Sequence, residues 1–222
     1  MIKSEVLKFL NDLNSNNNRD WFNINKKRYE DSLEQIKSFT TELVELMNLH
    51  DKIENYRIFR IYRDIRFSKN KTPYKNNFVI SLVREKPWLR GGYYLHIKPS
   101  DSFSAVGFWQ PDKNDLFRIR KEIEIDGKEF NDMISSKLII KNWGNLVGDS
   151  LKTNPRGFSK DHEYISILRK KSFLFKKSYS NKEVISKDFL SRLNEDFLDL
   201  RSFLDYMSNI LTTDLNGISI LK

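Results

Sequence analysis

The sequence predicts an α+β fold, an antiparallel meander of about four or more strands packed by N- and C-terminal helices. Two long stripes of apolar residues at helical spacing, one near each end of the chain, predict the helices. Between them the apolar period shortens to two, and the connections there are short enough for antiparallel neighbours. Helices on one face of such a sheet are the simplest assembly.

Ser4 stands where a helix cap would, and Val6, Leu7, Phe9, Leu10 and Leu13 share a face, so residues 4–14 read as a short helix. Residues 14–18 are a polar turn. Trp21, Phe22 and Ile24 open a longer helix, in which Tyr29, Leu33, Ile36, Phe39, Leu43 and Met47 recur at spacings of three and four. From residue 57 the period is two. Phe59, Ile61, Arg63, Ile65 and Phe67 form a core-directed face on which Arg63 is the misfit. Arg60, Tyr62, Asp64 and Arg66 stand on the other. Residues 78–85, 93–98 and 103–109 are three more strand candidates.

Beyond Pro111, Asp112 or Asp115 would cap a helix bearing Leu116, Ile119 and Ile123 and ending near Gly127. A shorter helical piece carries Phe130, Met133 and Ile134. Residues 138–145 read as a strand, 151–158 as a loop turning at Pro155-Arg156-Gly157, 160–171 as a helix and 172–179 as a strand. Ser180 and Glu183 match a capping box. The C-terminal helix then presents Phe189, Leu193, Phe197, Leu200, Leu204, Met207 and Leu211. No repeat and no linker rich in Pro, Gly or Ser interrupts the chain, so the expectation is a single domain over residues 1–222.

At 39% apolar and 31% charged residues, 222 residues suffice for a substantial core. No apolar run approaches the roughly 18 residues of a spanning helix, and the first residues lack a signal-peptide pattern. Without cysteine there is no disulfide framework, thiolate nucleophile or thiolate-bound zinc. The expectation is a cytoplasmic protein with no membrane partner. His50, His96 and His162 are far apart, with no His-x-x-x-His pair, and there is no dinucleotide loop, P-loop or nucleophile elbow. No cofactor and no metal are expected.

The charge is concentrated. Residues 57–90 carry ten basic and two acidic side chains, a net +8, while the whole chain is +9. Screening acts over about 8 Å at physiological salt, so local density decides what an anion feels. Arginine's planar fork suits phosphate or carboxylate, and lysine acts as a point charge. Arg60, Arg66, Lys71 and Lys75 are therefore the leading anion contacts, with the Ser68 and Thr72 hydroxyls as neutral donors. Pro73 stiffens the loop. The alternative is an ion-pair ladder in which Asp64 neutralises Arg60 and Arg66. Arg63, on an apolar face, needs a buried acid, carbonyl groups, a site edge or a bulge to account for it.

His96 alternates with Tyr94 and Lys98, and a meander would bring it near the Arg60 face as a general base. The alternative is a packed or surface histidine. Tyr62 and Tyr74, beside several cations, would be acidified or would stack a base or sugar. They also read as ordinary half-buried rings. His96 and Tyr74 are the catalytic candidates.

The segments NNNRDWF, FRIYRDIRFSKNKTPYK, GGYYLHIKPSDSF, GFWQP, NPRGF and HEYISILRKKSF occur in that order over roughly residues 7–175. In them the chain resembles the bacterial and fungal domain-of-unknown-function 2461 family. The resemblance implies one domain of about this length and carries no substrate, cofactor or activity. Where the family has an aspartate before the second lysine of the central motif, this chain has Asn70, so no carboxylate role carries over there. Together with its loop position, the resemblance makes Arg156 a further candidate for the same pocket.

Three functional readings are open. One is a basic pocket for a phosphorylated or carboxylated small molecule, with or without catalysis. The second is nucleic-acid binding, with the charges spread as a stripe among exposed aromatics. The third is a non-catalytic interaction or regulatory module for an acidic partner.

Overall fold

The computed structural model describes residues 1–221. Helices α1 (Ser4–Ser15), α2 (Arg19–Ile24) and α3 (Lys26–Met47) lead into strand β1 (Ile53–Ile58). Strands β2 (Phe78–Arg84), β3 (Gly92–Ile97) and β4 (Ser102–Phe108) follow, then helices α4 (Lys113–Ile134), α5 (Lys137–Trp143) and α6 (Ile165–Leu168). Strand β5 (Phe173–Tyr179) and helices α7 (Asn181–Val184), α8 (Phe189–Asp199) and α9 (Arg201–Thr212) complete the order. The five strands form one antiparallel sheet in the order β1-β2-β3-β4-β5. The expected α+β meander is what the chain makes. Among the described residues, no helix is long and apolar enough to cross a membrane.

The chain divides into two compact units. The first comprises residues 1–82, 94–104 and 178–195, and the second comprises 83–93, 105–177 and 196–222. In the first, Ile36, Phe39, Leu43 and Met47 of α3 are buried, and Phe39 stacks on Phe189 at 5.8 Å. In the second, Phe130 meets Phe173 and Phe175 meets Phe203 edge-on. These ring pairs lie within the buried core.

Local chemistry explains most boundaries. Asn18 caps α2 by accepting from the Trp21 N–H. The Asp112 carboxylate caps α4 by accepting from the Asn114 and Asp115 N–H groups at 2.8 and 3.0 Å. Helix α4 kinks at Asp126, beside the expected end at Gly127, and continues through Phe130. The capping box of Ser180 and Glu183 is formed.

Several expectations are corrected. The α1 cap position is Lys3, not Ser4, and no side chain caps it. Residues 138–145 are mostly the helix α5. Ile139 and Trp143, four apart, share its buried face while Leu138 and Ile140 are exposed, which is a helical period that a short apolar run conceals. Of residues 160–171 only one helical turn, α6, is regular. The C-terminal stripe is buried throughout but breaks into two helices at Leu200. The strand expected from residue 57 stops at Ile58, so the basic stretch is not a strand face but the long connection between β1 and β2.

Candidate functional site

Residues 59–77 form an irregular hairpin in the first unit. Its arms continue the β1–β2 pairing: the Phe59 N–H donates to Val79 O, Lys75 N–H to Ile61 O, and Arg63 N–H to Pro73 O. Tyr62 and Tyr74 form an isolated antiparallel bridge. The alternation read as a strand is thus realised only at the arms. Ile61 is buried, whereas Phe67, on the same nominal face, is 95% exposed.

A segment far away in sequence anchors the hairpin. The Asn17 side-chain amide donates to Tyr74 O at 3.0 Å and accepts from the Tyr74 N–H at 3.1 Å, taking the place of a strand neighbour. Phe22 stacks on the Tyr74 ring at 3.9 Å and meets Tyr62 edge-on at 5.8 Å. Asn17 and Phe22 are positioning residues that the sequence reading missed. No local signal marks a contact across 57 residues.

The tip is held by its own side chains. The Arg63 guanidinium donates to Thr72 O (3.2 Å), to the Thr72 hydroxyl and to the Ser68 hydroxyl (3.3 Å), which resolves the misfit: it reaches a carbonyl and hydroxyls, not an acid. Asn70 Oδ1 accepts from the Thr72 N–H and hydroxyl at 2.9 and 2.8 Å. Lys71 Nζ donates to Ile65 O and Arg66 O, and Lys75 Nζ to Arg60 O. Ser68, Thr72, Lys71 and Lys75 are therefore occupied in shaping the loop.

Arg66 forms a two-pronged ion pair with Asp64, at 3.0 Å from Nε and 2.7 Å from Nη2. That bond, followed by the Arg66 N–H and the Arg60 charge, holds the Asp64 carboxyl below its ordinary range. The ion-pair ladder is thus half present, because Asp64 takes Arg66 and not Arg60. Arg57 lies over the Phe59 ring at 4.8 Å. Among the described residues no hydrogen bond or ion pair engages the side chains of Arg57, Arg60 or Lys69, all of which are exposed. Residues 57–75 contain seven cations and one carboxylate, and among the described residues six of those cations have no acidic partner. The Lys75 ammonium is pushed down first by burial and then by Arg60, Arg57 and Arg63. These charges feel one another, which is the electrostatic condition for taking up an anion.

The catalytic candidates fare differently. Tyr74 is 5% exposed, and burial followed by Tyr62 pushes its phenol up, opposite to the acidification expected beside cations. Tyr62 remains 46% exposed. His96 sits on β3 with its ring stacked on Phe103 at 4.8 Å. Strand pairing does not bring it beside Arg60, because Arg60 lies in the loop rather than on a paired strand.

Other basic residues of the charged stretch serve the second unit. Arg84 is fully buried, pairing with Asp205 and donating to Ser208 Oγ and Arg90 O at 3.2 Å each. Arg90 pairs with Asp115. Arg156 also belongs to this unit, exposed at its turn. The second unit holds an open cleft of about 530 Å³ at the α4 kink, lined by Glu124, Asp126, Asp132, His162, Glu163 and Tyr164 among others. His162 is committed there: Nδ1 accepts from the Tyr164 N–H at 3.1 Å and Nε2 faces Glu124 O at 3.3 Å. A Cβ at Gly127 would collide with the Tyr164 ring and force it to move. Among the described residues no His, Asp or Glu cluster suited to a metal ion occurs.

The family model described as "Conserved hypothetical protein (DUF2461)" matches residues 5–206. No curated protein and no solved structure matches the chain.

Proposed function

We propose that this chain, which belongs to the DUF2461 family, binds a ligand presenting phosphate or carboxylate groups at the exposed hairpin of residues 59–77 and the adjoining Arg57. One observation carries the reading: among the described residues, five loop cations and the adjoining Arg57 have no carboxylate partner, on a tip already fixed by its own hydrogen bonds. Arg57, Arg60 and Lys69 are the free contacts. Arg63, Lys71 and Lys75 hold the shape, and Arg66 contributes the outer face of its fork. A prefixed tip loses little conformational freedom when an anion arrives. No chemical step is assigned, because Tyr74 is a packed core ring and His96 stacks on Phe103 of the neighbouring strand. The cytoplasm, rich in phosphorylated metabolites and polynucleotides, is the compartment that fits such a ligand.

The test is thermal unfolding of the full chain in inorganic phosphate, pyrophosphate and citrate. A ligand at 100 times its Kd adds about 2.7 kcal/mol to stability, so the melting temperature should rise with concentration. The variant Arg57→Ala/Arg60→Ala/Lys69→Ala should lose most of the rise. Lys152→Ala/Arg156→Ala/Lys160→Ala, which removes the same charge from the second unit, should keep it. Equal losses in both variants would refute the assignment, as would no rise with any of these anions together with no binding of a polymeric phosphate.

A further inference from the structure

Resting on that reading, we propose that the ligand is a single-stranded polynucleotide, with Phe67 the platform on which one base stacks. Phe67 is 95% exposed, on a tip whose backbone is held by Arg63, Asn70 and Lys71. A flexible loop would fold such a ring against the protein surface, but this one is held out in water. The Arg66 guanidinium carbon stands 6.0 Å from the ring centre, and a second cation–aromatic group follows along the loop, with Arg57 and Lys75 at 4.8 and 5.7 Å from the Phe59 centre. Cations therefore alternate with rings over residues 57–75. That arrangement matches a strand whose phosphates and base faces alternate.

The competing anions fit less well. Small phosphorylated molecules are oriented by concave sites that enclose most of their surface, whereas the free cations here stand in solvent. A polymer gains from that spread, because several phosphates engage at once. A duplex keeps its base faces stacked inside and offers no face to an exposed ring. An anionic membrane would meet one apolar side chain flanked by Ser68 and Asn70, since Ile65 is half-buried.

The experiment is fluorescence anisotropy of the full chain with a labelled oligothymidylate of about 20 nucleotides between 50 and 200 mM salt, in parallel with a duplex of equal length and phosphatidylserine vesicles. Log affinity should fall with log salt at a slope of about −2, from about 0.7 for each of three free cations on a single strand. Phe67→Ala should weaken binding about 5- to 100-fold with the slope unchanged. Arg60→Ala should make the slope shallower by about 0.7. Oligonucleotide binding that Arg60→Ala weakens and Phe67→Ala leaves untouched would overturn the stacking proposal and keep the anion site. Stabilisation by pyrophosphate without oligonucleotide binding would do the same, as would vesicle binding that alone depends on Phe67. If neither oligonucleotide nor pyrophosphate binds, both readings fall.

Discussion

Asn70 shows how much one side-chain atom decides in this loop. Its oxygen accepts two hydrogen bonds from Thr72, and Thr72 in turn accepts from Arg63, so the amide supplies the acceptor that a carboxylate would supply without its charge. Asn70→Asp is expected to keep stability within about 0.5 kcal/mol and to weaken anion binding by lowering the loop charge by one. Asn70→Ala is expected to cost about 0.5–1.5 kcal/mol, the ordinary net worth of a lost hydrogen bond, with less effect on affinity. Urea unfolding and phosphate titration of both variants read the two effects separately. Nothing in the sequence around Asn70 shows this role, because it depends on where Thr72 and Arg63 turn.

At the scale of elements, the ion pair between β2 and α9 joins a fully buried guanidinium to a carboxylate. Arg84 is wholly buried and its carboxylate partner Asp205 is 44% exposed, so removing Asp205 takes a neutralising charge away from a guanidinium in the interior. Asp205→Ala is expected to destabilise by about 3 kcal/mol, the low end for breaking a buried pair because water reaches one partner. Arg84→Met should cost less, since a flexible apolar chain refills the space without a charge. Denaturant midpoints for the two variants check the order, and an equal or reversed order would refute it. The same element shows why counting charges overstated the site. Arg84 and Arg90 belong to the sequence cluster, yet each pairs with a carboxylate outside it, 121 and 25 residues away. The longer helices and β2–β5, by contrast, follow from their local apolar periods, and capping residues such as Asp112 and Ser180 act within four residues.

For the whole molecule, the net charge of +9 and the loop's share of it set the response to pH. Asp64 has a folded pKa below its ordinary 3.8, so its contribution is present above that value and lost as pH falls through the depressed one. Lys75 runs the other way in mechanism. Its folded pKa lies below the ordinary 10.5, the unfolded chain binds more protons in that window, and stability rises with pH there. The expectation is a chain that loses stability in strong acid, with the loss shallower in Asp64→Asn. Acid titration followed by circular dichroism of both proteins checks it, and identical curves would exclude a role for Asp64.

The amino-acid order alone settled the α+β class, the three central strands, the helical stripes and the place where positive charge gathers, because each depends on neighbours within a few residues. Folding decided which of those charges are free. Whether a guanidinium meets a carboxylate, a carbonyl or water depends on groups that lie far off along the chain and close only in space. Asn17 and Phe22 holding Tyr74, Asp205 claiming Arg84, and Arg60 left in solvent are all outcomes of that kind.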